Sequence, residues 1–266
     1  SHISPQASAS RVRAHEQEHV TNAYNKAAQN NGKVLSATVS LRTAVCPECG
    51  TVYTAGGTTT TKISYSDESN PYQQGWFVPH DVTGMVELMG GKEKVIADLT
   101  NLFDKTPSNL LWNEYYNHAN EPVHFVPFLF NQLGAPWDTQ KWTRHICEKA
   151  YANKVEGIVG NEDVGQMSAW YILAASGIHP SCPGNTRMEI TSPVFDKVEF
   201  RLDPKYYSGE IFTVIAHDNN TNNLYIQKAL LNGKEYNKCY LDFADIAAGG
   251  TLELFMGDKP NTEWGI

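Results

Sequence analysis

The chain has 266 residues, enough for one large domain or two small ones. Hydrophobic residues make up 41% and charged residues 19%, which excludes a disordered chain and implies a packed core. The net charge is −8 with no long basic run, which argues against a nucleic-acid partner, and no apolar run is long enough to span a membrane.

Residues 9–31 are rich in Ala, Glu, Gln and Arg, and Gly32 is a natural stop, so they predict one helix. Val12, His15, His19 and Ala23 follow the spacing of one helical face. "KVLSATVSLRTAV" alternates as a strand, "CPECG" reads as a tight knuckle, and "TVYTAGGTTTTKISYS" reads as a hairpin centred on its glycines. The polar "DESNPYQQG" marks a boundary. Beyond it, "DVTGMVELMGG" and "KEKVIADLTNLF" predict two helices split by Gly-Gly. "NEPVHFVPFLFNQLG" predicts an apolar helix ending at Gly134. "PWDTQKWTRHICEKAYAN" opens a helix with proline in its first turn, and "DVGQMSAWYILAASG" is a further apolar helix stopped by Gly177. From about residue 187 the period becomes two, in "DKVEFRL", "IFTVIAH", "LYIQKALLNGK" and "TLELFMG".

The expected class is therefore α+β. A small helix-plus-hairpin domain covers 1–74 and a region of packed helices covers 75–186. A β-rich region follows over 187–266. The helices of 82–177 are apolar on more than one face, which suits a layered helical barrel better than a surface bundle. The five cysteines, Cys46, Cys49, Cys147, Cys182 and Cys239, are scattered and odd in number, which is no disulfide framework. The chain starts at Ser1 and shows no signal-peptide pattern, so it reads as a mature, trimmed or partial chain.

Two constellations carry potential chemistry. The first is His15-Glu16-x-x-His19. Two imidazoles four residues apart on a helix can hold zinc, and Glu16 could polarise a bound water. A third ligand is needed, and Glu48, Asp67, Cys46 and Cys49 are the candidates. The other reading is a helix that merely carries two histidines. Residues 8–74 resemble a small bacterial metallopeptidase-like domain, which implies a zinc peptidase as the alternative function.

The second constellation comprises "WFVPHD" (76–81), "HANEPVHF" (118–125) and "GNEDVGQMSAWY" (160–171). Each is a polar cluster at a helix start or in the loop before one. Together they gather Asp81, Glu121, Glu162 and Asp163 with His80, His118 and His124. Carboxylates with amide oxygens suit a hard cation such as calcium. Two carboxyl groups about 6.5–9.5 Å apart suit inverting glycoside hydrolysis, one protonating the leaving oxygen and the other activating water. Taken singly, each carboxylate reads as a helix cap more readily than as a catalyst, and it is the gathering of three clusters that favours chemistry.

These segments, with "APWDTQKW", "TSPVFDKVEF", "YIQKALLNGK" and "GGTLELFMGDKPNTEWG", closely resemble the C-terminal half of glycoside hydrolase family 92, from about Gly75 to Gly265. The resemblance implies a calcium-dependent, inverting exo-α-mannosidase acting on α-mannosides or N-glycan-type oligosaccharides. It implies a partial (α/α) barrel with strands at its side, and a secreted, periplasmic or cell-surface bacterial setting. Asp163 matches the family's general base. Asn120, Glu121 and Asn161 are the implied calcium neighbours. Trp76, His80, Asp81, His118 and Glu121 are the implied sugar contacts. Glu68 stands at the right distance from Trp76 to be the general acid, although the family's usual surroundings for that residue are altered here. With the family's N-terminal sandwich and first barrel helices missing, weak or no turnover is expected of this chain.

Overall fold

The computed structural model describes residues 4–29, 33–64, 69–111 and 113–266. The chain divides into two compact units, Ser1–Pro71 and Tyr72–Ile266.

In the first unit a 25-residue helix, α1 (Pro5–Gln29), packs on an antiparallel pair, β1 (Lys33–Val45) and β2 (Val52–Ser64). Ser8, Glu16, Ala23 and Ala27 are its buried positions, flanked by half-buried Val12 and Val20. That is one stripe at three-to-four spacing, made of small residues and one carboxylate. His15 and His19 lie outside the stripe, exposed. "TVYTAGGTTTTKIS" is not a hairpin as expected. β2 runs straight through Gly56 and Gly57, pairing from Val45↔Val52 to Lys33↔Ser64, and the turn is Cys-Pro-Glu-Cys. Gly57 is there for space: a Cβ on it would stand 2.6 Å from Glu16 Cγ.

The second unit begins with helices. A single turn, α2 (Pro71–Gln74), spans the division, followed by α3 (Val82–Leu88) and α4 (Lys92–Asp104). The expected long helix from Asn120 to Gly134 is instead two 3-10 turns, Glu121–Val123 and Val126–Phe128, and a short α5 (Leu129–Gln132). Pro122 and Pro127 explain the break, since neither can donate an i→i−4 hydrogen bond. α6 (Pro136–Lys149) starts on its proline. α7 (Gln166–Ala175) starts later than expected, because the three residues before it have left-handed backbone. Trp76, Leu99, Phe103, Phe128, Ile146 and Trp170 belong to the core these helices bury.

The strands follow as β3 (Ile178–Pro180), β4 (Arg187–Ile190), β5 (Lys197–Arg201), β6 (Ile211–His217), β7 (Tyr225–Leu231), β8 (Lys234–Glu235), β9 (Tyr240–Asp242) and β10 (Gly250–Gly257). A short helix, α8 (Phe243–Ala247), lies between the last two. One sheet has the order β5-β6-β10-β7-β8, with β10 parallel to β6 and antiparallel to β7. Phe212, Val214 and Ala216 alternate inward on β6, as do Leu252, Leu254 and Met256 on β10. They form a second core with Ile190, Ile226 and Trp264. The other sheet is β3-β4-β9.

Helices and sheets meet at Glu189, which is fully buried. Its carboxylate accepts from Arg187 Nε at 2.6 Å and Nη2 at 3.1 Å, Asn131 Nδ2 at 3.1 Å, Gln132 Nε2 at 3.2 Å and Ser181 Oγ at 3.1 Å. Gln140 and Arg144 of α6 reinforce the joint. Gln140 Oε1 accepts from Ile226 N at 2.8 Å, and the Arg144 guanidinium donates to Pro193 O and Asn219 Oδ1.

Removing one partner of a buried ion pair strands the other, at a cost of about 3–5 kcal/mol. Glu189→Ala is expected to lose about that much. Glu189→Gln, which keeps most acceptor geometry, should lose about 1–3 kcal/mol. Urea midpoints of the two variants check this, and equal midpoints for Glu189→Ala and the parent would refute the role of the node.

Candidate functional site

Each unit carries one of the two constellations. In the second unit, the turn from Asn117 to Asn120 is buried, and Asn120 N donates to Asn117 O at 3.2 Å. Gly160 lies on this turn. A Cβ there would come within 2.8 Å of Ala119 Cβ and 3.0 Å of Ala119 O. The "HANEP" and "GNEDVGQ" segments are thus brought together, with a glycine allowing the approach.

Two imidazoles support the junction. His118 Nδ1 and Nε2 lie 2.7 Å from the hydroxyls of Tyr116 and Tyr151 respectively, and the Tyr151 hydroxyl donates to Met167 O at 3.0 Å. Tyr151 has one proton to give, so His118 Nε2–H donates to Tyr151 and Nδ1 accepts from Tyr116. His124 Nε2–H donates to His118 O at 3.0 Å, and its Nδ1 accepts from Gln166 Nε2 at 3.2 Å. The indole N–H of Trp170 donates to His124 O at 2.9 Å. Burial pushes His118 well below the ordinary imidazole value, with His124 and His179 adding to the effect. Burial also brings His124 down to about 4, against the opposing pull of the His118 carbonyl and the Asp163 charge. Both rings are neutral at pH 7.

The loop ahead of α7 is strained. Asp163, Val164 and Gly165 have φ of +50°, +58° and +89°. A left-handed valine is a steric outlier, and this one is fully exposed, so no burial of its side chain compensates. The turn closes through Gln166 N to Asp163 O at 3.2 Å and Met167 N to Glu162 O at 3.2 Å. Glu162 is a cap, its carboxylate accepting from Ser168 N at 3.1 Å and Oγ at 2.8 Å. Asp163 is half-buried, and its side chain has no such capping bond among the described residues.

The other expected residues fall as follows. His80 and Asn161 are exposed, Glu121 is half-buried, and Asn120 is buried. Asp81 is exposed and caps α3, accepting from Gly84 N at 2.9 Å. Trp76 is not a surface for sugar: it is buried in the helical core. His118 does not meet the expectation of a sugar contact either, since it is fully buried with both ring nitrogens engaged. Glu68 lies outside the described residues. Tyr116, Tyr151 and Asn117 were not singled out by sequence. Tyr151 stands in a polar stretch without a motif, and Asn117 carries only the hint of standing beside "HANEP". Asn117 Oδ1 is buried without a hydrogen-bond partner among the described residues.

In the first unit, Glu16 is 5% exposed and its carboxylate accepts from Thr59 Oγ1. It lines the same cavity as the two histidines, with its carboxylate engaged by Thr59. His15 Nε2 and His19 Nε2 lie 3.1 Å apart. The proposed third ligands Cys46, Glu48 and Cys49 sit at the hairpin turn, whereas the histidines share a cavity with Glu16, Gly57, Thr58, Thr59 and Thr61. Six or more residues of strand separate the two places, roughly 20 Å. Asp67 lies outside the described residues. Among the described residues no three His, Cys, Asp or Glu side chains are grouped to hold a metal.

Two outcomes follow from this geometry. Gly160→Ala should displace the Asp163 loop from Ala119, costing about 1–3 kcal/mol as an overpacked contact. Amide exchange at Gln166 and Met167 should speed up, and unchanged exchange would count against the close approach. The second concerns acid. His124 falls from 6.5 to about 4 on folding, so the unfolded chain binds a proton that the folded chain refuses. Its contribution is complete above pH 6.5 and is lost as pH falls towards 4, worth roughly 3 kcal/mol. His179, which burial brings down to about 3, acts in the same direction. Urea midpoints measured from pH 7 to pH 4 should fall steadily, whereas a flat profile would contradict buried neutral imidazoles.

Comparison with known proteins completes the picture. The glycosyl hydrolase family 92 catalytic domain model matches residues 13–258, starting well ahead of Gly75, where the resemblance was expected to begin. A protein described as an uncharacterized secreted glycosidase from Arthroderma benhamiae is 33% identical over 200 residues, 74% of this chain and 24% of its own length. Among solved structures, a family GH92 alpha-mannosidase from Bacteroides thetaiotaomicron superposes with a TM-score of 0.70 at 35% identity, covering 76% of this chain and 27% of that one. A family GH92 inverting mannosidase from the same organism gives a TM-score of 0.66 at 37% identity, covering 74% and 28%. The chain therefore spans about a quarter of the length of these relatives. With the family model matched over most of its residues, this chain belongs to the catalytic domain family of glycosyl hydrolase family 92.

Proposed function

We propose that the chain contributes to hydrolysis of terminal α-linked mannose with inversion, Asp163 acting as the general base. One observation carries the reading: Asp163 is held on a strained left-handed turn that lies against the "HANEP" segment. Strain of this kind persists where the surroundings enforce it, and it gathers at functional sites. Mannosidase relatives support the substrate class, one of them solved with mannoimidazole.

In this reading Asp163 accepts a proton from the attacking water as the water approaches the anomeric carbon. A second carboxyl group protonates the leaving oxygen. The family resemblance alone puts Glu68 in that role. His124 and His118, neutral and locked, hold the turn and Gln166 in place, which is positioning. The helices of 72–175 are an arc of a larger helical barrel in this reading.

Calcium fits the donors present. The amide oxygen of Asn117, which has no hydrogen-bond partner among the described residues, is a hard ligand in a buried turn shared with Asn120 and followed by Glu121. Those residues, with Asn161, would hold the ion. When bound, calcium would supply a fixed positive charge that orients sugar hydroxyls. A setting outside the cytoplasm accords with the relative described as secreted. No helix among the described residues is long and apolar enough to cross a membrane.

The test has two arms on the parent chain. NMR of α-mannobiose should show β-mannose as the first product, weakly, dependent on calcium and abolished by chelator. Asp163→Asn should lower that rate about 10²–10⁴-fold. Calorimetry should show mannoimidazole bound by both parent and variant. Release indifferent to Asp163→Asn, or a folded chain that neither binds nor turns over, would sink the proposal.

A further inference from the structure

The sugar reading leaves the exposed histidines of α1 unused. We infer that His15 and His19 form an open two-imidazole chelate for a divalent transition metal, separate from any peptidase chemistry. Their Nε2 atoms are 3.1 Å apart, and the rings stand edge to face with centroids 4.5 Å apart. Two nitrogens each about 2.0–2.1 Å from one ion and 3.1 Å from each other subtend roughly 95–100° at it. That angle lies between the cis positions of a square plane and those of a tetrahedron. The same separation fits an N–H···N hydrogen bond, so the metal takes the place of the shared proton.

The surroundings favour an open site. The pair faces a cavity of about 410 Å³ whose walls also include Glu16, Gly57, Thr58, Thr59 and Thr61. Hydroxyls and water can complete the coordination. Glu16 lines the same cavity, but its carboxylate is engaged by the Thr59 hydroxyl, so the two imidazoles alone make the chelate. The cysteines take no part, because the hairpin register holds them at the far turn. Two imidazoles with open cis positions suit copper(II) and nickel(II), and the order of affinities puts copper above nickel and zinc. With two protein ligands instead of three, the site lacks the closed shell of a structural zinc.

Calorimetric titration of the full chain with copper(II), nickel(II) and zinc(II), alongside copper electron paramagnetic resonance, tests the inference. One equivalent of copper per chain is expected, with nitrogen hyperfine structure. His15→Ala and His19→Ala should each weaken copper binding tenfold or more. Glu16→Gln and the double variant Cys46→Ser/Cys49→Ser should bind within about twofold of the parent. Far-UV circular dichroism confirms that α1 persists in each variant, and His19→Asn serves if the alanine variant loses it. Binding that survives both histidine changes, binding lost with the cysteines, or a folded parent that takes no copper would each overturn the inference.

Discussion

The carboxylate of Glu189 decides how the second unit is assembled. A fully buried carboxylate is tolerable only when its lone pairs are met, and here five donors meet them. The donors come from β4 itself, from α5 and from the stretch after β3. Asn131 also donates to Ile190 O and Cys239 O, so the same residue ties α5 to β4 and to the approach of β9. α5 is a single turn following two proline-broken turns, and an isolated turn of helix is not stable. Its position is set by this polar node and by the core around Phe128 and Phe130. The site inherits that position. The turn at 117–121 lies a few residues upstream of α5, and α6 runs from it to Tyr151, which holds His118.

Around the site, burial does the electrostatic work. The rings of His118, His124 and Trp170 pack tilted or edge to face, with centroids 4.5–6.3 Å apart. Low-dielectric surroundings keep both imidazoles neutral, so each can donate through one nitrogen and accept through the other. The Tyr151 hydroxyl, which donates to Met167 O, fixes the tautomer of the neutral His118 ring and so the chain of contacts from Tyr116 through His118 to Tyr151 and Met167. Met167 is the second residue of α7. The network therefore grips the helix whose first turn follows Asp163, and the strained loop is anchored at both ends.

Much of this was legible in the sequence where periodicity or chain chemistry is strong. The two-residue period of β5, β6, β7 and β10 follows from strands with one buried face. Proline and glycine marked the ends of α6 and α7. The short strands β3, β4 and β9 were missed because three or four residues carry no period. The helix expected over 120–134 failed on Pro122 and Pro127, which outweighed an apolar pattern that looked continuous. In the site, "GNEDVGQ" was legible as a motif, and the contact of Gly160 with Ala119 gives its physical basis. Trp76 and His118 were expected at the sugar because the family resemblance implied it, and aromatic and imidazole groups do suit sugars. Both are equally suited to a core when their polar atoms find partners, and only tertiary packing decides between these uses.

The His-Glu-x-x-His segment shows the limit of spacing as evidence. At about 100° per residue, His15 and His19 project on nearly one line of the helix, while Glu16 lies about 100° round from His15. What the glutamate meets depends on the element packed against that face. Here it meets Gly57, whose missing Cβ leaves room for the Glu16 side chain, and Thr59, whose hydroxyl takes its carboxylate. A carboxylate buried in that way has exchanged water for a fixed donor, and it is a structural group of the helix-hairpin contact. The motif thus splits into an inward carboxylate and an outward imidazole pair. The metal site proposed for the pair would require only helix geometry, which the hairpin does not alter.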